Sequence, residues 1–351
     1  MSPVEAAPAG GGVYVALLIV TFAIHLLLIG FVVGGTAYLV ARGLRGLVGG
    51  RAGRDGADAD DELAARSRDW LPFALGAAIT AGVAPLLFVQ VLYQARFYTA
   101  NLLLFHRWMA IVPVLIVGFY LLYLGKSERA RTWSRPAQLA IVMIALACFG
   151  FVAWTWVENH ALANADDAPT VWVEHWASAR WFHRAPMVAP RLVMWLALFA
   201  PLWAAPAGLL ARARRPEVAL RPLALIALAG LAIAVVAAVL THARAPLGLR
   251  AGLDAAPGWI VACVVGVAVA AAGWIVVLVG RVGAGLALAL AGDAALALAL
   301  AGAREASRAA LRTGPHHSGQ GLALFLVFFV LGAAAIAFCV IVVRRNLARA
   351  A

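Results

Sequence analysis

One feature governs what this chain can fold into. Nine apolar stretches, each long enough to cross a bilayer, follow one another with short polar segments between them. A membrane helix needs roughly 20 consecutive apolar residues. Stretches that qualify lie near 13–41, 72–98, 107–125, 137–157, 187–211, 221–241, 258–280, 282–302 and 320–343. Because backbone N–H and C=O groups in hydrocarbon must bond internally, the expected fold class is all-α, a polytopic membrane helix bundle of about nine transmembrane helices. Composition agrees: 64% of residues are hydrophobic, 13% are charged, and the mean hydropathy is +0.92. The least separated pair is 258–280 and 282–302, divided only by Arg281 and glycines. Residues 1–351 are expected to form one integral membrane domain, with an inner polar loop at 42–71 and an outer polar loop at 158–186. The segment MSPVEAAPAGGG lacks a basic stretch before the first apolar run, so that run is expected to stay as a helix.

A net charge of +12 invites a nucleic-acid reading, but the placement of the charge argues against it. With the N-terminus outside, 18 of the 28 Lys and Arg fall on inner segments. That asymmetry is the positive-inside pattern, so the basic excess sets orientation as N-out and C-in, and no nucleic-acid partner is expected. The DADDE run within 42–71 reads as a solvated linker or a short surface helix. Cys148, Cys263 and Cys339 all lie in apolar spans without CxxC or CxxCH spacing and read as small buried hydrophobes.

The eight histidines are one-sided. His25, His106, His160, His175, His183, His242, His316 and His317 all fall in outer loops, at outer helix ends or, for His25, in the outer half to the middle of the first span. Imidazole ligates haem iron, carries protons near neutral pH and contacts substrates in transporters; it is also an ordinary interfacial side chain. For His160, His316 and His317 the reading as solvated loop residues prevails. His25, in TFAIHLLLIGFVVGGT, is apolar on every side along its helix, and an imidazole in hydrocarbon needs a partner. Gly30, Gly34 and Gly35 follow it. They suit close helix packing or a flat ligand equally well.

The second span ends in a polar stripe. Gln90, Gln94 and Tyr98 recur every four residues and share a face of a continuous helix. Arg96 lies near the outer surface, and His106, Arg107 and Trp108 open the next span. These residues suit an interfacial belt or, for the arginines, paired hydrogen bonds to carboxylates of a cofactor. The stretch HWASARWFHRAPMVAP gathers His175, Arg180, His183 and Arg184 before the fifth span. His183 and Met187 are four apart and would face one way on a helix, so they cannot flank one iron from opposite sides.

Three of these segments together resemble subunit I of cytochrome bd quinol oxidase. FHRAPMVAPRLVMWLALFAPLW, after an outer loop opening with AWTWVENHALAN, is similar to that family's fifth-helix region. TFAIHLLLIGFVVGGTAYLVAR is similar to its first helix, and WLPFALGAAITAGVAPLLFVQVLY to its second. The resemblance covers about the first 210 residues. It implies haem b as cofactor, His25 as a ligand of a high-spin haem and His183 as a ligand of the low-spin haem. It further implies quinol as electron donor and partner subunits in a respiratory complex of the bacterial inner membrane.

The chain departs from the family in several places. LLLFHRWMAIVPVLIVGFYLLYLGK carries no acid where the family's third helix has glutamates, and His106 stands near the first of those positions. No long outer quinol-binding loop and no GRQPW-like signature occur, and no methionine follows Met194, which leaves His242 as the available second haem ligand. The expectation is therefore a diverged haem b subunit that passes electrons between quinol and a partner redox protein, without dioxygen reduction. His25, His183, His106 and His242 are the candidate iron ligands, Arg96 and Arg184 the propionate anchors, and Gln90, Gln94 and Tyr93 the quinone contacts. Two other classes stay open: a polytopic transporter, for which Asp293 inside a span speaks, and a cofactor-free structural subunit of a membrane complex.

Overall fold

A computed structural model describes residues 11–48 and 54–312, together with isolated positions between 327 and 345. The ninth expected span, 320–343, with His316, His317 and Cys339, lies outside these residues or among the isolated positions. All described regular structure is helical: α1 (Gly11–Val48), α2 (Arg54–Leu92), α3 (Gln94–Leu103), α4 (Phe105–Lys126), α5 (Glu128–Arg131), α6 (Arg135–Ala163), α7 (Ala168–Ala177), α8 (Val188–Arg212), α9 (Arg221–Ala243), α10 (Leu247–Asp254), α11 (Pro257–Leu278) and α12 (Val282–Ser307), closed by a 3₁₀ turn at Ala309–Leu311. Eight of these, α1, α2, α4, α6, α8, α9, α11 and α12, are long and apolar enough to cross a membrane. The protein is a multi-pass helical membrane bundle.

The described residues of the segment 42–71 are helical rather than a loop. α1 continues to Val48 and α2 begins at Arg54. At 1.5 Å per residue, helices of 38 and 39 residues outrun a bilayer core of roughly 30 Å. The polar run ELAARSRDW, rich in good helix formers, therefore extends α2 beyond the apolar layer. The segment 158–186 also departs from a loop. Its first six residues finish α6, and Ala168–Ala177 form α7.

Small residues set the helix contacts. A Cβ at Gly30 or Gly34 would meet Leu202, or Trp203 and the Phe199 carbonyl, at 2.6 Å or less, so both glycines bring α1 against α8. This decides the glycine-rich face of α1 in favour of helix packing. Trp203 is the centre of that seam: its ring stacks on Tyr38 at 4.4 Å, and its Nε1–H donates to Ser67 Oγ at 3.1 Å. α11 and α12 approach as closely, since a Cβ at Gly273 would fall 2.3 Å from Ala289 N, and one at Gly292 would fall 2.2 Å from Ala270 N. Gly280, at φ +91°, makes the tight reversal between them.

Candidate functional site

His25 solves its burial by crossing to α2. Its Nδ1 lies 3.0 Å from the Ala78 carbonyl oxygen. A carbonyl only accepts, so Nδ1 carries the proton and Nε2 keeps its lone pair. The ring rests on Gly82, where a Cβ would come within 2.9 Å of Nδ1 and Cε1. Only glycine leaves room for the imidazole at that contact. One turn earlier on α1, Phe22 lies 6.4 Å from the His25 ring, and the guanidinium of Arg304 sits 4.6 Å over the Phe22 ring. His25 is thus tied through Phe22 to a polar region at the end of the bundle that carries α7.

That region is built around a helix break. Tyr93, at φ −131° and ψ 28°, interrupts the run between α2 and α3. The break turns Tyr93 inward: its hydroxyl donates to Glu305 Oε2 at 2.7 Å and accepts from Arg312 Nε at 3.4 Å. Burial, and the neighbouring Glu305 carboxylate, push the Tyr93 hydroxyl pKa up against the opposing effect of Arg308. Glu305 Oε1 accepts from Arg304 at 2.9 Å and pairs with Arg308, whose guanidinium also lies 4.1 Å over the Tyr93 ring. Arg304 stands on the last turn of α12, Arg308 caps that helix and Arg312 follows the 3₁₀ turn, and all three reach Glu305, Arg312 through the backbone carbonyl at 2.7 Å.

A second buried pair stands beside it. Arg107 of α4 and Glu158 of α6 form an ion pair with side chains 5% and 0% exposed. Glu158 also accepts the His183 backbone N–H at 3.0 Å through Oε1, and the Arg107 guanidinium lies 5.2 Å from the Phe182 ring and 6.0 Å from that of Trp181. The segment between α7 and α8 is therefore clamped onto the bundle through its main chain and its rings. Asn159 donates to Asn101 Oδ1 at 2.6 Å, joining α6 to α3.

Above the clamp lies an open cleft of about 770 Å³. His175 and His183 meet in its wall edge to face, with ring centroids 5.4 Å apart. Arg180, Arg184 and Arg244 line it, and Met187 closes its base. Burial, then the neighbouring His175 and Arg107, lower the His183 pKa to about 4; burial and Arg107 lower that of His175 as well. Both imidazoles are neutral at neutral pH, the state that metal ligation requires. Asp166 closes the far side by accepting the Leu247 and Gly248 N–H groups at 2.6 and 2.9 Å, which fixes the start of α10.

The residues singled out from the sequence are distributed unevenly over this architecture. His183 and Arg184 share the cleft. His25 lies inside the bundle, His106 is exposed beside Phe105, and His242 pairs with Asp254 at 3.4 Å. Arg96 serves α6: it donates to the carbonyls of Ala163 and Ala165 at 3.2 and 3.0 Å, closing the end of that helix. Gln90, Gln94 and Tyr98 do not continue one straight stripe, because the break at Tyr93 lies between the first two; Gln90 still accepts from the Tyr98 hydroxyl at 3.3 Å, and Gln94 is exposed.

Sequence reasoning missed Glu158, Arg304, Glu305 and Arg308, and its reading of His160 as a solvated loop residue is corrected by the burial of that side chain on α6. The signal was present in the four-residue spacing of Arg304, Arg308 and Arg312, and in the run Glu158, Asn159, His160 on the last turns of an apolar helix. Compared with known proteins, the chain matches no family model, no curated protein and no solved structure.

Proposed function

We propose that the protein is a haem b-binding membrane subunit that passes electrons between quinol and a partner redox protein in the bacterial cytoplasmic membrane. The observation that carries this reading is His25, whose Nδ1–H is committed to the Ala78 carbonyl inside a span, leaving Nε2 unprotonated. Metal-ligating histidines are commonly oriented this way, by a carbonyl on the opposite ring nitrogen. His25 would hold the iron of one haem through Nε2. His183, neutral in a cleft of about 770 Å³, fits a second site, with Arg180, Arg184 and Arg244 on the rim for propionates. When bound, haem b supplies the one-electron couple. The chain's own part is to orient the imidazoles, keep them neutral and neutralise the propionates. Gln90 and Gln94, beside the helix break, are the contacts for a quinol head group.

A reduced-minus-oxidised absorption spectrum of the full-length protein purified in detergent tests this. A haem b signal is expected, and His25→Ala should remove one of its components. Absence of the signal from folded protein, or an unchanged spectrum in both His25→Ala and His183→Ala, overturns the reading.

Transport is the second reading, and Asp293 favours it. Its side chain is 2% exposed within α12, and among the described residues neither carboxyl oxygen has a hydrogen-bond partner. An intramembrane acid of this kind marks ion pathways. Proteoliposomes without haem that exchange protons or a cation, and lose the exchange in Asp293→Asn, would favour it.

A further inference from the structure

Between the Tyr93 break, α6 and the end of α12 lies a cavity of about 10 Å³, the room of one water-sized guest. Asn159, His160, Asn164, Arg304 and Arg308 stand in its wall with Tyr93. The charge around it does not balance. Arg304 and Arg308 bond to the Glu305 carboxylate, Arg312 donates to the Glu305 backbone carbonyl at 2.7 Å, and the charge of Arg191 bears on Arg304, Arg308 and His160. Two guanidinium groups thus bond one carboxylate, with the charge of Arg191 acting on both, and both carboxylate oxygens are engaged, Oε1 by Arg304 and Arg308 and Oε2 by Tyr93. Two nitrogens of residues that line the cavity, His160 Nε2 and Arg308 Nε, have no hydrogen-bond partner among the described residues, and their residues are only 7% and 3% exposed. Uncompensated cations and unpaired donors at this depth are costly.

We propose that this cavity binds one compact monovalent inorganic anion of the halide class, held by His160 Nε2–H, Arg308 Nε–H and the Arg304 guanidinium. A water molecule would satisfy the donors without offsetting the charge. A sulfate or phosphate, with four oxygens, exceeds a space of about 10 Å³. The anion ties α6 to α12 across the break that ends α2. The inference is independent of whether His25 ligates haem.

The test uses the full-length protein in detergent, with thermal unfolding followed in sodium bromide or chloride against sodium gluconate at equal ionic strength. A saturable, halide-specific rise in Tm of about 5 °C is expected, lost in Arg308→Gln. A variant-free readout accompanies it: crystals grown in bromide should show an anomalous peak beside His160 Nε2. Neither shift nor peak in the wild-type protein overturns the proposal. A carboxylate of bound cofactor could supply the same charge. In that case the halide response is absent from haem-containing protein and appears once haem is removed, which also overturns the proposal. A halide response in protein with no haem signal supports this site while defeating the haem reading.

Discussion

The two ends of the bundle carry their charges in opposite ways. At the end bearing α5, Arg131 reaches Asp69 at 3.7 Å and Glu128 at 3.0 Å with its side chain 42% exposed, and Arg215 reaches Glu62 at 3.7 Å with 52% exposed. At the end bearing α7, Arg107 and Glu158 are 5% and 0% exposed, and Arg308 and Glu305 are 3% and 2%. Exposed pairs contribute little to stability, but their sign and number orient a membrane chain. Desolvated pairs are different in kind. Each partner is costly alone, so the chain keeps them only as a complete network. These ion pairs of the α5 end stand in solvent, while those of the α7 end are locked in a buried network.

Breaking the buried network should have the largest effect. Glu158→Ala leaves Arg107 without its carboxylate and the His183 N–H without its acceptor, and should destabilise by about 3–5 kcal/mol in thermal unfolding. A loss below about 1 kcal/mol would place this pair with the exposed ones.

Acid should act next, again at the α7 end. The His183 pKa is about 4 in the folded protein and about 6.5 in the unfolded chain. Between these values the unfolded chain binds more protons, so stability is full above pH 6.5 and falls as pH drops towards 4. Discounted for partial exposure, the loss is about 1–2 kcal/mol, and His175 adds in the same direction. In haem-free protein, Tm measured from pH 7.5 to 4.5 should fall less steeply in His183→Asn than in the wild type; identical slopes would remove His183 from the account. The smallest effect belongs to the α5 end, where Asp69→Asn should change stability by less than about 0.5 kcal/mol. A larger change would erase the contrast between the ends.

Much of the bundle is legible from periodicity alone, because a run such as RPLALIALAGLAIAVVAAVLTHA has no other way to satisfy its backbone in lipid. Eight of the nine expected spans coincide with apolar helices, and the turn at Gly280 separates the pair that Arg281 barely divides. What could not be read was partnership. Arg107 and Glu158 lie 51 positions apart in number, and nothing in either segment says that α4 and α6 meet there. His160 looks like the start of a loop because its neighbours are polar, yet those neighbours turn inward towards Asn101 and Arg107. The stripe of Gln90, Gln94 and Tyr98 assumes an unbroken helix, and the Tyr93 backbone breaks it. Arg96 reads as a cofactor anchor by charge and position, but its geometry gives it to the carbonyls at the end of α6.

The close pairing of α11 with α12 bears on how the chain is made. Asp293 would enter lipid as an unpartnered acid if α12 emerged from the translocation machinery alone, and the machinery would tend to reject it. Only three residues separate the two helices, and Gly273 and Gly292 let their backbones touch beside the acid. Insertion of the two spans together, as one hairpin, would spare α12 from entering lipid alone. Lengthening the turn at Gly280, with no change to either helix, would delay that pairing and lower the yield of correctly inserted protein.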